Sequence, residues 1–290
     1  MSALVLALAG VVTTTAPAGA QVEPRTVQND FVVWRPDGGL WYRLAGGGST
    51  SVGWGVPGDV PVAGDFTGDT RSDYAVWRPT NGNWYVKNRV DGATSTTQWG
   101  VAGDVPAPAD FGAHGRSDYV VWRPSNGNWY VRDSASGGTY GTQWGVAGDV
   151  PVAQDVTGDG RADYVVWRPG TGTWYVKDTA TGATSSTQWG QPGDVPVAGD
   201  FTGDGHADYV VWRPGDGNWY VRDSVSGTTT VTQWGTAGDI PVSGDYTDDG
   251  RADHVVWRPS NGTWYLDDSA TGATSATAWG QPGDTPIPFR

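Results

Sequence analysis

The run Tyr164-Val165-Val166-Trp167-Arg168, the turn Pro169-Gly170-Thr171-Gly172 and the run Thr173-Trp174-Tyr175-Val176-Lys177 decide the fold. Both runs are short and rich in β-branched and aromatic residues, which suit a pleated, half-buried surface. The turn between them joins two antiparallel strands. Sibling copies write it with Asn81-Gly82, Asn126-Gly127 and Asn261-Gly262, a strong short hairpin signal. Upstream, Pro151-Val152-Ala153 predicts a short first strand that leads into the acidic loop Asp155-Val156-Thr157-Gly158-Asp159-Gly160. Downstream, Thr187-Gln188-Trp189 predicts a fourth strand. No stretch carries the 3.6-residue period of a helix, so the chain reads as all-β.

The same unit recurs along the chain. Trp-Arg-Pro begins at Trp34, Trp77, Trp122, Trp167, Trp212 and Trp257. After an opening interval of 43 residues, every interval is 45. Trp-Tyr follows at Trp41, Trp84, Trp129, Trp174, Trp219 and Trp264, and Trp-Gly at Trp54, Trp99, Trp144, Trp189, Trp234 and Trp279. These positions account for all 18 tryptophans. A period of this length with four strands fits the blades of a propeller, and six units predict six blades. The first unit begins at Asp30 without the opening strand and acidic loop of the others, and the chain ends in Thr285-Pro286-Ile287, a copy of that missing strand. The C-terminal strand is therefore expected to complete the first blade, which would remove two exposed sheet edges. Residues 30–290 are read as this propeller.

Composition agrees with many short strands. There are 45 Gly and 19 Pro but one Met and no Cys, so disulfides and thiolate metal sites are excluded. The net charge of −13 is a poor match to phosphate backbones, and no nucleic-acid partner is expected. Residues 1–20 read as a signal peptide: Leu4 to Val12 is apolar, Ala18-Gly19-Ala20 supplies small residues for cleavage, and no Lys or Arg precedes the apolar run. Residues 21–29 then form a linker, and a secreted, monomeric protein without membrane insertion is expected.

The acid content has a local explanation. The loop between the first two strands reads Asp-x-Thr-Gly-Asp-Gly-x-x-Asp. The second unit supplies Asp65, Thr67, Asp69 and Asp73, and the fourth Asp155, Thr157, Asp159 and Asp163. The fifth supplies Asp200, Thr202, Asp204 and Asp208, and the sixth Asp245, Thr247, Asp249 and Asp253. Oxygens at alternating positions of a tight loop suit a hard cation such as calcium, with the carbonyls of Arg71, Arg161, His206 and Arg251 as further donors. One such loop could be an ordinary Asp-Gly turn, but four at fixed spacing argue for metal. The third unit has Gly112 and His114 at two donor positions and is expected to be empty, while Thr70 replaces a glycine in the second and is expected to weaken it.

Gly199 to Asp208 and its copies, followed by Val211-Trp212-Arg213-Pro214 and Asn218-Trp219-Tyr220, resemble the FG-GAP or VCBS-type repeats of integrin-like propellers in their bacterial form. The resemblance covers Asp30 to Arg290. It implies calcium in the loop between the first two strands of a blade, and adhesion or ligand binding, sugars included. Family propellers usually have seven blades, so six would be a departure. The three histidines recur in no catalytic pattern, and no acid pair stands out from its copies, so an enzyme is not expected. The leading expectation is a calcium-binding recognition or adhesion module, lectin-like, for glycans or cell-surface ligands. A structural or accessory module without its own ligand is the alternative, and a secreted hydrolase ranks third. The tryptophans are read mainly as packing between blades. The repeated arginines, from Arg35 to Arg258, face either repeated acids such as Asp59 or a ligand.

Overall fold

The computed structural model describes residues 30–46 and 48–289. The signal-peptide and linker readings fall outside them. Blade 1 holds β1 (Phe31–Arg35), β2 (Leu40–Ala45) and β3 (Gly48–Gly53), with one 3-10 turn at Pro36–Gly38. Blade 2 holds β4 (Val60–Val62), β5 (Tyr74–Arg78), β6 (Asn83–Lys87) and β7 (Thr94–Gln98). Blade 3 runs from β8 (Val105–Pro106) through β9 (Tyr119–Arg123) and β10 (Asn128–Arg132) to β11 (Thr139–Gln143). Blade 4 comprises β12 (Val150–Pro151), β13 (Tyr164–Arg168), β14 (Thr173–Lys177) and β15 (Thr184–Gln188). Blade 5 comprises β16 (Val195–Val197), β17 (Tyr209–Arg213), β18 (Asn218–Arg222) and β19 (Thr229–Gln233). Blade 6 comprises β20 (Ile240–Pro241), β21 (His254–Arg258), β22 (Thr263–Asp267) and β23 (Thr274–Ala278). Then β24 (Thr285–Pro288) pairs with β1, so blade 1 is ordered β24-β1-β2-β3.

Each blade is a four-stranded antiparallel sheet. The hairpin of blade 4 pairs Tyr164 with Lys177 and Trp167 with Trp174, as the sequence predicts. The first strand is displaced. It covers Val150–Pro151 rather than residues 151–153, although the Val152 amide still donates to the Val165 carbonyl at 2.9 Å and Gln154 pairs with Asp163 before the acidic loop. The fourth strand begins at Thr184, earlier than Thr187, since Thr and Ser tolerate an exposed edge. Each first strand carries a proline, from Pro61 to Pro286. Proline donates no hydrogen bond and so suits the unpaired inner edge. Inner strands of three blades, β16, β20 and β24, meet around one narrow cleft lined by Pro196, Pro241 and Pro286.

The core lies between blades rather than within them. Six apolar clusters each join a blade to its neighbour, and one joins blade 6 to blade 1 through Val255, Trp257, Phe31 and Val33. Aromatic rings interleave at these seams: Phe66 lies 5.8 Å from Trp84 and 5.3 Å from Tyr119 of the next blade. The tryptophans of Trp-Arg-Pro and Trp-Tyr are fully buried, and those of Trp-Gly are half-buried. Across the termini, Trp279 Nε1 donates to the Tyr42 carbonyl at 3.3 Å, and Arg35 grips Asp284 through two bonds of 2.7 and 2.9 Å. The ring is therefore closed, with six blades. Among the described residues no helix is long and apolar enough to cross a membrane.

Candidate metal centre and inter-blade clefts

The acidic loops leave the sheet after the first strand and return at the second. In blade 2, Asp65 anchors the loop from inside. Its Oδ1 accepts from the Thr67 and Gly68 amides at 3.1 and 2.6 Å, and its Oδ2 from the Thr70 amide at 2.7 Å. The final acid is buried at the base. Asp73 Oδ2 accepts from the Phe66 and Thr67 amides, and Oδ1 lies 3.2 Å from Thr67 Oγ1. Blades 4 and 5 repeat these bonds around Asp155 with Asp163, and around Asp200 with Asp208. Blade 6 does so around Asp245 with Asp253.

Burial pushes the Asp73, Asp208 and Asp253 carboxyls up to about 6, with neighbouring carboxylates adding to the effect. Burial also raises Asp163 and Asp118. An ionised carboxylate in such a place calls for a cation. In blade 6, Thr247 Oγ1 is buried without a hydrogen-bond partner. Buried acid, hydroxyl and further carboxylates form an all-oxygen donor set that fits a hard divalent ion. The final acid and threonine are brought together in blades 2 and 4, at 3.2 and 3.5 Å. The middle acids, Asp69, Asp159, Asp204 and Asp249, instead accept the amide two residues on.

Sequence reasoning missed one flanking position. Asn88 Nδ2 bonds Thr67 Oγ1 at 2.9 Å and Asp69 Oδ2 at 3.1 Å. In later blades this place is taken by Asp133, Asp178, Asp223 and Asp268. The amide that follows it donates to the final acid, as Thr179 does to Asp163 at 3.1 Å. The signal was present as a recurring acid just after the third strand. The loops are also linked in series: the Ser117, Ala162, Ala207 and Ala252 amides each donate to the backbone carbonyl of the first aspartate of the preceding loop, at 2.6–2.7 Å.

Non-glycine residues with positive φ occur, among the described residues, only in these loops: Thr70 (69°), Ala113 (54°) and Asp248 (58°). The third loop also differs in what its side chains bring together. Asp110, His114 and Asp118 place their ligating atoms within 4.8 Å of one another, the one such group among the described residues.

A second kind of site lies on the outer seams. Trp54 of blade 1 faces Arg78 and Tyr85 of blade 2 across a cleft of about 310 Å³. Trp279 faces Arg35 and Tyr42 across one of about 290 Å³. Each repeated arginine stacks on its tyrosine, 4.0–4.4 Å from the ring centroid. Each also forms a bidentate pair with a buried acid, as Arg78 does with Asp59 and Arg123 with Asp104. Pairing with repeated acids is therefore the outcome for these arginines. The remaining histidines are engaged too: His206 Nδ1 lies 3.2 Å from the Val156 carbonyl, and buried His254 lies 3.2 Å from Asp267.

Residues 155–211 match the FG-GAP-like repeat. The repeats are FG-GAP-like, and they close into a six-bladed propeller. No curated protein matches the sequence. Among solved structures, a lectin of Agrocybe aegerita that recognises non-reducing terminal N-acetylglucosamine is 18% identical, with TM-score 0.56. The match covers 87% of this chain and 76% of the lectin. TolB of Acinetobacter baumannii is 13% identical, with TM-score 0.65, over 90% of this chain and 66% of that one. Apo AztD of Citrobacter koseri is 10% identical, with TM-score 0.52, over 88% and 83%. At such identities these likenesses show the propeller fold alone.

Proposed function

We propose that this chain is a secreted, non-enzymatic recognition propeller. Calcium in the loops of blades 2, 4, 5 and 6 stiffens the ring, and the inter-blade clefts take glycans. The observation that carries the ligand reading is the repeated cleft. A half-buried indole, a tyrosine and a guanidinium of fixed orientation line a space of about 300 Å³, at the small end for ligand sites and roomy enough for one sugar ring. Indole and phenol faces stack on the apolar face of a sugar, and the arginine can hold its hydroxyls. Two equivalent clefts, one on either side of blade 1, give avidity to weak single sites. Asp155, Thr157, Asp159 and Asp163, with their copies, are the calcium donors in this reading.

One observation favours the alternative of a structural module. The groups lining the cleft already serve the fold: Trp54 Nε1 donates to the Tyr85 carbonyl at 3.0 Å, and Arg78 is paired with Asp59. A glycan array run with calcium and with EDTA separates the two. Binding in calcium that weakens in EDTA and in Tyr85→Ala supports recognition. A folded, calcium-loaded protein that binds no glycan overturns it.

A further inference from the structure

The third loop differs from its siblings at two donor positions, and the two changes depend on each other. A Cβ on Gly112 would lie 2.5 Å from His114 Cδ2, 2.8 Å from His114 Nε2 and 3.1 Å from Asp133 Oδ2. A Cβ there, as the threonine of the other loops would bring, meets the imidazole in its present position. Glycine at 112 leaves the space that the His114 ring fills. The ring stands among three carboxylates. His114 Nε2 is 3.1 Å from Asp118 Oδ1 and 3.5 Å from Asp133 Oδ1, and His114 Nδ1 is 3.7 Å from Asp110 Oδ1. Asp118 is fully buried, and His114 Nδ1 is buried without a hydrogen-bond partner.

We propose that Asp110, His114 and Asp118, with Asp133 alongside, hold a divalent transition ion of the zinc class, distinct in chemistry from the all-oxygen loops. Exchanging a carboxylate and a hydroxyl for an imidazole moves the donor set from hard oxygen to mixed nitrogen and oxygen. Zinc bonds of about 2.0–2.2 Å at tetrahedral angles put neighbouring donors roughly 3.3–3.5 Å apart. The 3.1 Å between His114 Nε2 and Asp118 Oδ1 is close to that spacing. The acids are already oriented by amides. Asp118 accepts from Phe111 and Ser134, Asp110 from Gly112, His114 and Gly115, and Asp133 from Ala135 and Ser136. Such outer bonds hold ligands in place before the ion arrives. The proposal does not depend on calcium in the other loops.

The test uses the full chain without a polyhistidine tag, stripped of metal and then held in excess Ca²⁺. Titration with Zn²⁺ should show one bound equivalent, and Co²⁺ should give the intense visible bands of a tetrahedral ion. His114→Ala should abolish the bands and weaken Zn²⁺ by more than the roughly 10–100-fold that losing an outer partner costs. Gly112→Thr combined with His114→Asp should lose the zinc equivalent, and its melt shows whether it has folded. Absence of Zn²⁺ uptake in the calcium-saturated protein overturns the proposal, and would leave the imidazole as an internal stand-in for a cation. Uptake that persists in His114→Ala overturns it as well.

Discussion

Deleting residues 283–290 removes β24 and should destabilise the ring without touching a metal loop. Three losses follow from the structure. Phe289 is buried against Tyr74 at 5.5 Å and Trp41 at 6.1 Å, and truncating a buried phenylalanine costs about 3–5 kcal/mol. Ile287 is buried in the same cluster, and its loss costs about 2–5 kcal/mol. Asp284 leaves Arg35, about three-quarters buried, without its bidentate partner, a further cost of about 1–3 kcal/mol. These side chains share neighbours and will not add fully, so a net loss of at least about 5 kcal/mol is the expectation. For a chain of this size that is a fall in melting temperature of roughly 10–20 °C. The newly bare edge of β1 should also promote association. Calorimetry and light scattering after size exclusion read both effects, with Phe289→Ala as a milder variant and deletion of residues 1–26 as a control. An unchanged melt and an unchanged monomer would refute the closure argument.

Thr70 holds a β-branched side chain at φ 69°, a conformation that costs such residues about 1–2 kcal/mol. Thr70→Gly should therefore raise the melting temperature by roughly 2–8 °C, and a fall would show that its side chain matters more than its backbone. Calcium should also stabilise the chain more at pH 7.5 than at pH 5. In the metal-free native state the carboxyls of Asp73, Asp208 and Asp253 are raised to about 6, so the stability tied to their protons is full below the unfolded value and is lost as pH rises through 6. A cation must displace those protons at pH 5 but not at pH 7.5. Equal calcium-induced shifts in melting temperature at the two pH values would contradict this.

The tryptophan periods were enough to count blades, because each recurring indole marks one strand and the seams repeat with it. Strand ends were less legible. The end of β12 at Pro151 is encoded in no propensity at Val152 or Ala153, and pairing resumes at Gln154 with Asp163. Partners of the arginines were undecided in sequence because acids are everywhere. The recurring separation of 19 residues, as in Asp59 with Arg78, was the signal that identifies them. Half-burial of the Trp-Gly indoles depends on the next blade and so is invisible within one unit. In the third loop the two lost oxygens are legible in the sequence, whereas the convergence of His114 with Asp110 and Asp118 and the space at Gly112 that admits its ring are not.

Metal counting on purified, tag-free protein tests the central claim most directly. After equilibration with calcium and removal of excess, elemental analysis should find one calcium for each of the four all-oxygen loops, with Asp159→Ala lowering the count by one and Asp110→Ala leaving it unchanged. A folded wild-type protein that retains no calcium, or an Asp159→Ala variant that retains as much as wild type, would contradict the account.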